Sequence, residues 1–155
     1  MLKKLDELGI RENTIVMYLS DNGPVNHRYN NGLKGLKAST DEGGVKTPFI
    51  LNWNGALDPS IVKGIGAHID ILPTLVELTG IEADYKNQID GKSLVPMIED
   101  EVQEVHNHIP ERWHKKTRLR TPQHLMVNDA LYDIKSDPGQ KNNIRDSHPE
   151  LFDSL

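Results

Sequence analysis

Asp21 and Asn22 follow directly on a short apolar run, Thr14-Ile15-Val16-Met17-Tyr18-Leu19, in the stretch Ser20-Asp21-Asn22-Gly23-Pro24. A carboxylate beside an amide oxygen offers two hard donors, suited to Ca²⁺ or Mg²⁺ rather than to thiolate-seeking metals. The run before them is β-branched, apolar and aromatic, which reads as a buried strand of an α/β sheet. Chemistry in such sheets gathers at the carboxyl ends of strands. Gly23-Pro24 then turns the chain away. Asp-Asn-Gly also makes ordinary turns, so the tripeptide alone leaves both readings open. A loop rich in glycine and lysine follows, from Gly32 to Pro48, with Lys34, Lys37 and Lys46 where an anion would sit, and it runs into a second strand signal at Phe49-Ile50-Leu51-Asn52-Trp53.

This pairing resembles the type I sulfatases, the arylsulfatase family of the alkaline phosphatase superfamily. There a strand ending in S-D-N-G-P is followed by a loop G-L-x-G-x-K-G-x-x-x-E-G-G-x-R-x-P and a strand ending in W-x-G. Gly32 to Pro48 follows that loop without gaps. Later blocks occur in the order of the family's C-terminal portion: His68-Ile69-Asp70-Ile71-Leu72-Pro73-Thr74-Leu75, Leu78-Thr79-Gly80, Asp90-Gly91-Lys92-Ser93-Leu94, Leu131-Tyr132-Asp133-Ile134 and Asp137-Pro138-Gly139.

The resemblance implies metal ligation by Asp21 and Asn22, completing the shell of one Ca²⁺, with Mg²⁺ the second choice. It implies sulfate binding and charge stabilisation by Lys37, a role that preorganised electrostatics fills well in a dry site. Lys34 and Lys46 are read as solvated surface lysines. Lys46 stands where the family has arginine, which trades a planar fork for a point charge. Leu36 and Ala38 replace glycines common in that loop, so a shifted backbone path near Lys37 is expected. Glu42 is read as a loop-ordering residue bonded to backbone N–H groups rather than as a general acid.

The sulfatases attack sulfur with a formylglycine hydrate made from the cysteine or serine of C/S-x-P-x-R. This chain has no cysteine, and none of its serines is followed by x-P-x-R. Counterparts of the early Asp-Asp ligands and of the central histidine and lysine residues are also missing. The expectation is therefore a C-terminal piece of a sulfatase, inactive alone, whose partner is the missing N-terminal half and whose substrate is a sulfated small molecule or glycan. A periplasmic or secreted location follows for the full-length enzyme by resemblance only. Two alternatives stay open. A phosphodiesterase or phosphonate hydrolase of the same superfamily would carry Asp-His where Asp21-Asn22 stands, and a non-catalytic anion-binding or glycan-binding module would keep Lys37 as a relic site.

Composition fits a soluble globular chain, with 36% hydrophobic and 26% charged residues. A formal charge of −5 argues against nucleic-acid binding, and no basic run with interleaved aromatics is picked out. No apolar stretch is long enough to span a bilayer.

The elements that must position the site fall into two regions. Residues 1–98 are expected to form the C-terminal part of the sulfatase α/β domain, at the edge of a mixed, mostly parallel sheet, opening with an amphipathic helix on Leu2, Leu5 and Leu8 and a stop at Gly9. Ile69 to Leu78 reads as a helix, with Pro73 in its first turn. His68 precedes it, as a satisfied histidine or a ligand. Residues 99–155 are expected to be a linker and a small antiparallel subdomain. Within it, His106, His108 and His114 invite a zinc site, but a linker or surface segment is the preferred reading. Two strands joined near Asn128-Asp129 precede a terminal helix from His148-Pro149. Arg112, Trp113 and Arg118 are candidates to meet an anionic or sugar-like substrate, or are scattered surface residues.

Overall fold

The computed structural model describes residues 1–27 and 29–155. It divides into two compact units, Met1–Ser60 and Ile61–Leu155.

In the first unit, helix α1 (Leu2–Glu7) stops where expected. Gly9 takes φ 66°, its N–H bonds Asp6 O, and Ile10 N–H reaches back to Leu5 O, the paired bonds of a Schellman cap. A 3₁₀ turn (Arg11–Asn13) leads into β1 (Ile15–Leu19), which pairs antiparallel with β2 (Phe49–Trp53) in the register Ile15 to Trp53 through Leu19 to Phe49. The Trp53 indole N–H donates to Glu12 O at 2.8 Å, fixing the far end of the pair. Between the strands, the only regular element among the described residues is the short helix α2 (Glu42–Val45). No apolar side chain among the described residues of this unit is buried, while Tyr18, Phe49 and Ile50 are exposed.

The second unit holds the buried apolar side chains. A 3₁₀ turn (His68–Asp70) runs into α3 (Ile71–Thr79), which ends at Gly80 with φ 63°. The single turn α4 (Val95–Ile98) follows, then the antiparallel sheet β3 (Ile109–Trp113), β4 (Lys116–Arg120), β5 (His124–Val127) and β6 (Ala130–Asp133), ordered as in sequence. Leu125, Val127, Tyr132 and Ile134 form its core, with Ala130 packed against them. The chain then passes along β6, where Ile144 N–H bonds Leu131 O at 2.8 Å, and closes with α5 (Pro149–Ser154). Thus two strands do meet at Asn128-Asp129, and β3 and β4 precede them as a further hairpin that periodicity did not mark.

The linker reading of Asp100 to Trp113 is corrected at His106, which is only 6% exposed. Its Nε2 lies 2.9 Å from Oδ1 of Asp70, a carboxylate with no exposed surface. The same carboxylate accepts the N–H groups of Lys92 at 2.8 Å and Ala67 at 2.7 Å. Thr74 donates to Asp70 O and accepts Leu94 N–H, so three distant segments meet at one acid. A buried carboxylate demands such donors. These bonds, with Ile65 N–H to Glu104 at 2.9 Å, tie residues 61–98 to the segment leading into the C-terminal sheet. The compact division accordingly falls after Ser60, whereas the sequence reading placed a boundary after residue 98.

Candidate functional site

The loop 20–48 leaves β1 and returns to β2, and its two ends are clasped by one hydroxyl. Thr47 Oγ1 accepts Ser20 N–H at 3.0 Å and donates to Ser20 O at 2.9 Å. Ser20 Oγ in turn donates to Asn22 O at 2.7 Å, which bends the chain just past the strand. Asp21 and Asn22 thereby stand at the carboxyl end of β1, the location expected for them.

Inside the loop, backbone bonds replace side-chain packing. Gly23 N–H donates to Gly44 O at 2.9 Å, Gly43 N–H to Lys34 O at 2.7 Å, and Lys37 N–H to Pro24 O at 3.0 Å. The approach at Gly23 is too close for any side chain, since a Cβ there would lie 1.9 Å from Gly43 O. Gly35 has φ 86°, with a Cβ position 2.4 Å from Ser39 Oγ. Of the two replaced glycines, Ala38 keeps a left-handed conformation, φ 69°, whereas Leu36 is not among the residues of positive φ. An alanine there holds the conformation at a cost of about 1 kcal/mol.

Lys37 is brought to the metal-type pair: its Nζ lies 3.9 Å from Asp21 Oδ2. The lysine side chain is 51% exposed and the aspartate 81%, so this is a loose surface pair whose worth is positional rather than energetic. Asn22 Nδ2 donates to the same Asp21 oxygen. Presenting two oxygens to a cation therefore requires the Asn22 amide to turn over, a rotation about one terminal torsion. The donors suit a hard cation in kind but are two of the roughly six to eight oxygens that Ca²⁺ takes. Among the described residues, no cluster of three or more His, Cys, Asp or Glu is placed to hold a metal. His106, His108 and His114 form no zinc group within that description.

Lys34 is held elsewhere, 3.5 Å from Asp41 Oδ1, and Asp41 also accepts Ser39 Oγ at 2.9 Å. Lys46 is exposed. Glu42 is 3% exposed at the first position of α2, which removes it from contact with a substrate. The residue that sequence reasoning missed is Thr47; a β-branched hydroxyl placed just before Pro48 and a strand was its only signal.

Arg118, offered earlier as a possible substrate contact, is buried at 6% and lies 2.6 Å from Glu111, so it is spent inside the sheet. Arg112 and Trp113 are exposed at the β3–β4 turn. Among the described residues, no helix is long and apolar enough to cross a membrane.

The sulfatase family model matches residues 1–81, the part that contains the whole loop. The chain is 35% identical over 114 residues to the steryl-sulfatase of Rattus norvegicus, an alignment covering 66% of this chain and 20% of that protein. It is 26% identical over 195 residues to the N-acetylgalactosamine-6-O-sulfatase of Bacteroides thetaiotaomicron, covering 100% of this chain and 37% of the relative. A solved Bacteroides thetaiotaomicron structure, titled for the metabolism of multiple glycosaminoglycans, superposes with a TM-score of 0.86 at 23% identity, over 99% of this chain and 39% of the other. The likeness gives the fold, an alkaline phosphatase-like sulfatase architecture. The chain thus spans between a fifth and two-fifths of the length of these relatives. With its loop and its fold both in place, the chain belongs to the sulfatase family.

Proposed function

We propose that this chain is the C-terminal portion of a sulfatase that, when complete, hydrolyses a sulfate ester to an alcohol and inorganic sulfate. The observation that carries the reading is Lys37 held 3.9 Å from Asp21 at the end of β1, in a loop that follows the sulfatase pattern without gaps and departs from its fixed residues at Ala38 and Lys46. The nucleophile, a formylglycine, belongs to the N-terminal half, which is the chain's proposed partner. Asp21 and, after the amide turn, Asn22 would hold Ca²⁺; when bound, that ion supplies Lewis acidity toward the sulfate oxygens.

The chain's own residues do the rest of the work assigned to it. The Lys37 ammonium attracts a sulfate oxygen and offsets the charge that grows on the ester oxygen as its bond to sulfur breaks. Asp21 keeps the ammonium near the strand end in the absence of substrate. The bond from Lys37 N–H to Pro24 O fixes the backbone from which that side chain extends. Names of relatives such as the N-acetylgalactosamine-6-O-sulfatase make a sulfated sugar the preferred substrate class, and a periplasmic or secreted site fits such a substrate. Asn22, rather than histidine, favours the sulfatase over a phosphodiesterase or phosphonate hydrolase.

The test is reconstitution. The chain is co-expressed with a sulfatase N-terminal portion bearing C-x-P-x-R, and 4-nitrophenyl sulfate and bis(4-nitrophenyl) phosphate are offered in turn. Sulfate turnover that needs both chains and is lost in Asp21→Ala supports the reading; phosphodiester turnover alone rejects it. Retained affinity for sulfated sugars without hydrolysis in any such complex would favour the non-catalytic binding module.

A further inference from the structure

The pairing of β1 with β2 stops one residue short of the metal-type pair. Leu19 faces Phe49 as the last paired position, and the next step of that register sets Ser20 against Pro48. Ser20 turns both its N–H and its C=O toward the returning chain. Proline has no N–H, so Pro48 cannot donate to Ser20 O and the ladder cannot continue through backbone groups alone. The Thr47 hydroxyl takes over both halves of the missing step. Its Oγ1 accepts Ser20 N–H at 3.0 Å, and its one proton lies between Ser20 O at 2.9 Å and Pro48 O at 3.0 Å.

Threonine before proline suits this task twice over. Branching at Cβ restricts χ1, and the following proline biases the backbone toward an extended path, so the hydroxyl keeps little freedom. At the other end of the pair, Gly23 N–H donates to Gly44 O at 2.9 Å, in a contact so close that a Cβ on Gly23 would lie 1.9 Å from Gly43 O. Asp21 and Asn22 are therefore a bridge between two fixed posts, Ser20 and Gly23. Both posts are tied to one short segment, Gly44 to Thr47, whose span in residues equals that from Ser20 to Gly23. Ser20 Oγ adds a bond to Asn22 O at 2.7 Å, which carries the constraint at Ser20 into the pair. The Asp21 carboxylate, 81% exposed, has only a loose contact with Lys37 at 3.9 Å, so its direction is inherited from the backbone beneath it.

We infer that Thr47 is a positioning residue: its hydroxyl sets the backbone path of Asp21 and Asn22 and, through that path, the direction in which the pair meets a hard cation. Two oxygens from neighbouring residues act together on one ion only when the backbone holds them at a fixed angle. A Ser20 free to swing would have to be ordered again at each binding event, which lowers affinity. The role belongs to the hydroxyl and not to the bulk of the side chain, because both contacts with Ser20 are made by Oγ1. The inference rests on the proposed function for the cation, and on the hydrogen bonds alone for the clasp.

The experiment compares the 155-residue chain with Thr47→Val, which keeps the branched shape and removes the hydroxyl, and with Thr47→Ser, which keeps the hydroxyl. The amide NMR signals of Asp21 and Asn22 are followed first without metal and then during titration with Ca²⁺ alone, with Asp21→Ala as the blank for ion effects elsewhere. Thr47→Val should displace both signals in the metal-free chain and weaken the Ca²⁺ response about fivefold, the worth of one hydrogen bond, while Thr47→Ser stays within about twofold of the unaltered chain. Equal loss in both variants assigns the effect to the threonine methyl and overturns the inference. A Thr47→Val chain with unchanged signals and an unchanged Ca²⁺ response overturns it as well. If Thr47→Val unfolds the first unit, seen as collapse of the Ile15 to Leu19 signals, Ser20→Ala takes its place. That variant cuts the bond to Asn22 O and should shift the Asn22 signal and weaken the Ca²⁺ response; no change in either overturns the inference. Should Ca²⁺ move neither signal in the unaltered chain while the valine and serine variants still differ at Asp21 and Asn22, the calcium part of the proposed function fails and the hold of Thr47 on the pair stands.

Discussion

At the scale of single residues, the site is held by small groups whose costs are visible. Ala38 sits at φ 69° where a glycine would be unstrained, so Ala38→Gly should raise stability by about 0.5 to 1 kcal/mol, less the added freedom of glycine in the unfolded chain. A urea midpoint that falls instead would show that the alanine methyl makes a compensating contact. Lys37→Ala should behave differently: with an exposed side chain it should leave the midpoint nearly unchanged, while in the reconstituted enzyme it lowers kcat/KM about 100-fold. A change in KM alone would assign Lys37 to ground-state binding only. The buried contrast is His106. Removing the imidazole by His106→Ala withdraws one of the donors of a fully buried carboxylate and should destabilise the second unit by about 2 kcal/mol, read as a shift of the urea midpoint. Asp70 and His106 also mark a limit of sequence reading. Asp21, Asn22 and Lys37 stand out as candidates because their neighbours repeat a dense local pattern. The Asp70 hub joins residues from 67 to 106, and no local pattern announces a partner that far along the chain.

At the scale of elements, the pieces with local chemistry were readable and those made by pairing were not. The Gly9 stop of α1, the helix after Asp70 with Pro73 in its first turn, and the turn at Asn128-Asp129 each follow from residues a few positions apart. The strand β3 did not, because Pro110 and the charged Glu111 and Arg112 hide its alternation. The blocks around Asp90-Gly91-Lys92-Ser93-Leu94 look like site motifs but are structural. Gly91 passes so close to Ile69 O that a Cβ would lie 2.0 Å away, while Lys92 and Leu94 give their N–H groups to Asp70 and Thr74. The turn after β6 is another such device and carries a pH dependence. Asp137 is held below the ordinary carboxylate range first by the N–H of Asn142, then by that of Lys141. At Asp133 burial pushes the pKa up, but hydrogen bonds led by Ser136 outweigh it, so this group too is held low. A carboxyl depressed in the folded state contributes stability that is present above its unfolded value and lost as pH falls through the folded one. Stability should therefore drop below about pH 4, and Asp137→Asn should flatten that part of the curve, measured by thermal midpoint from pH 6 to pH 2.5. An unchanged acid limb in the variant would place the loss at other carboxyls.

At the scale of the whole chain, the two units differ in the source of their order. The second has a core on Leu125, Leu131, Tyr132 and their neighbours, which exclude water from β5 and β6. The first has a two-stranded sheet, no buried apolar side chain among the described residues, and a loop closed by backbone bonds and glycine contacts. A two-stranded pair is marginal in water, and apolar residues such as Tyr18 and Ile50 face solvent from paired positions. A sheet of this composition is stable when further strands and helices cover it. Amide exchange should therefore be slowest at β5 and β6 and fast at β1 and β2 in the isolated chain. Adding the N-terminal portion of a sulfatase should slow exchange at Ile15 to Leu19 and Phe49 to Trp53 by at least tenfold and leave β5 and β6 unchanged. The same addition should raise Ca²⁺ affinity, since the isolated chain offers two oxygens and should bind the ion weakly by calorimetry. If β1 and β2 are already protected alone, or if calcium binds the lone chain at micromolar concentration, the first unit has its own means of closing the site. The added N-terminal portion would then contribute no part of this unit's fold.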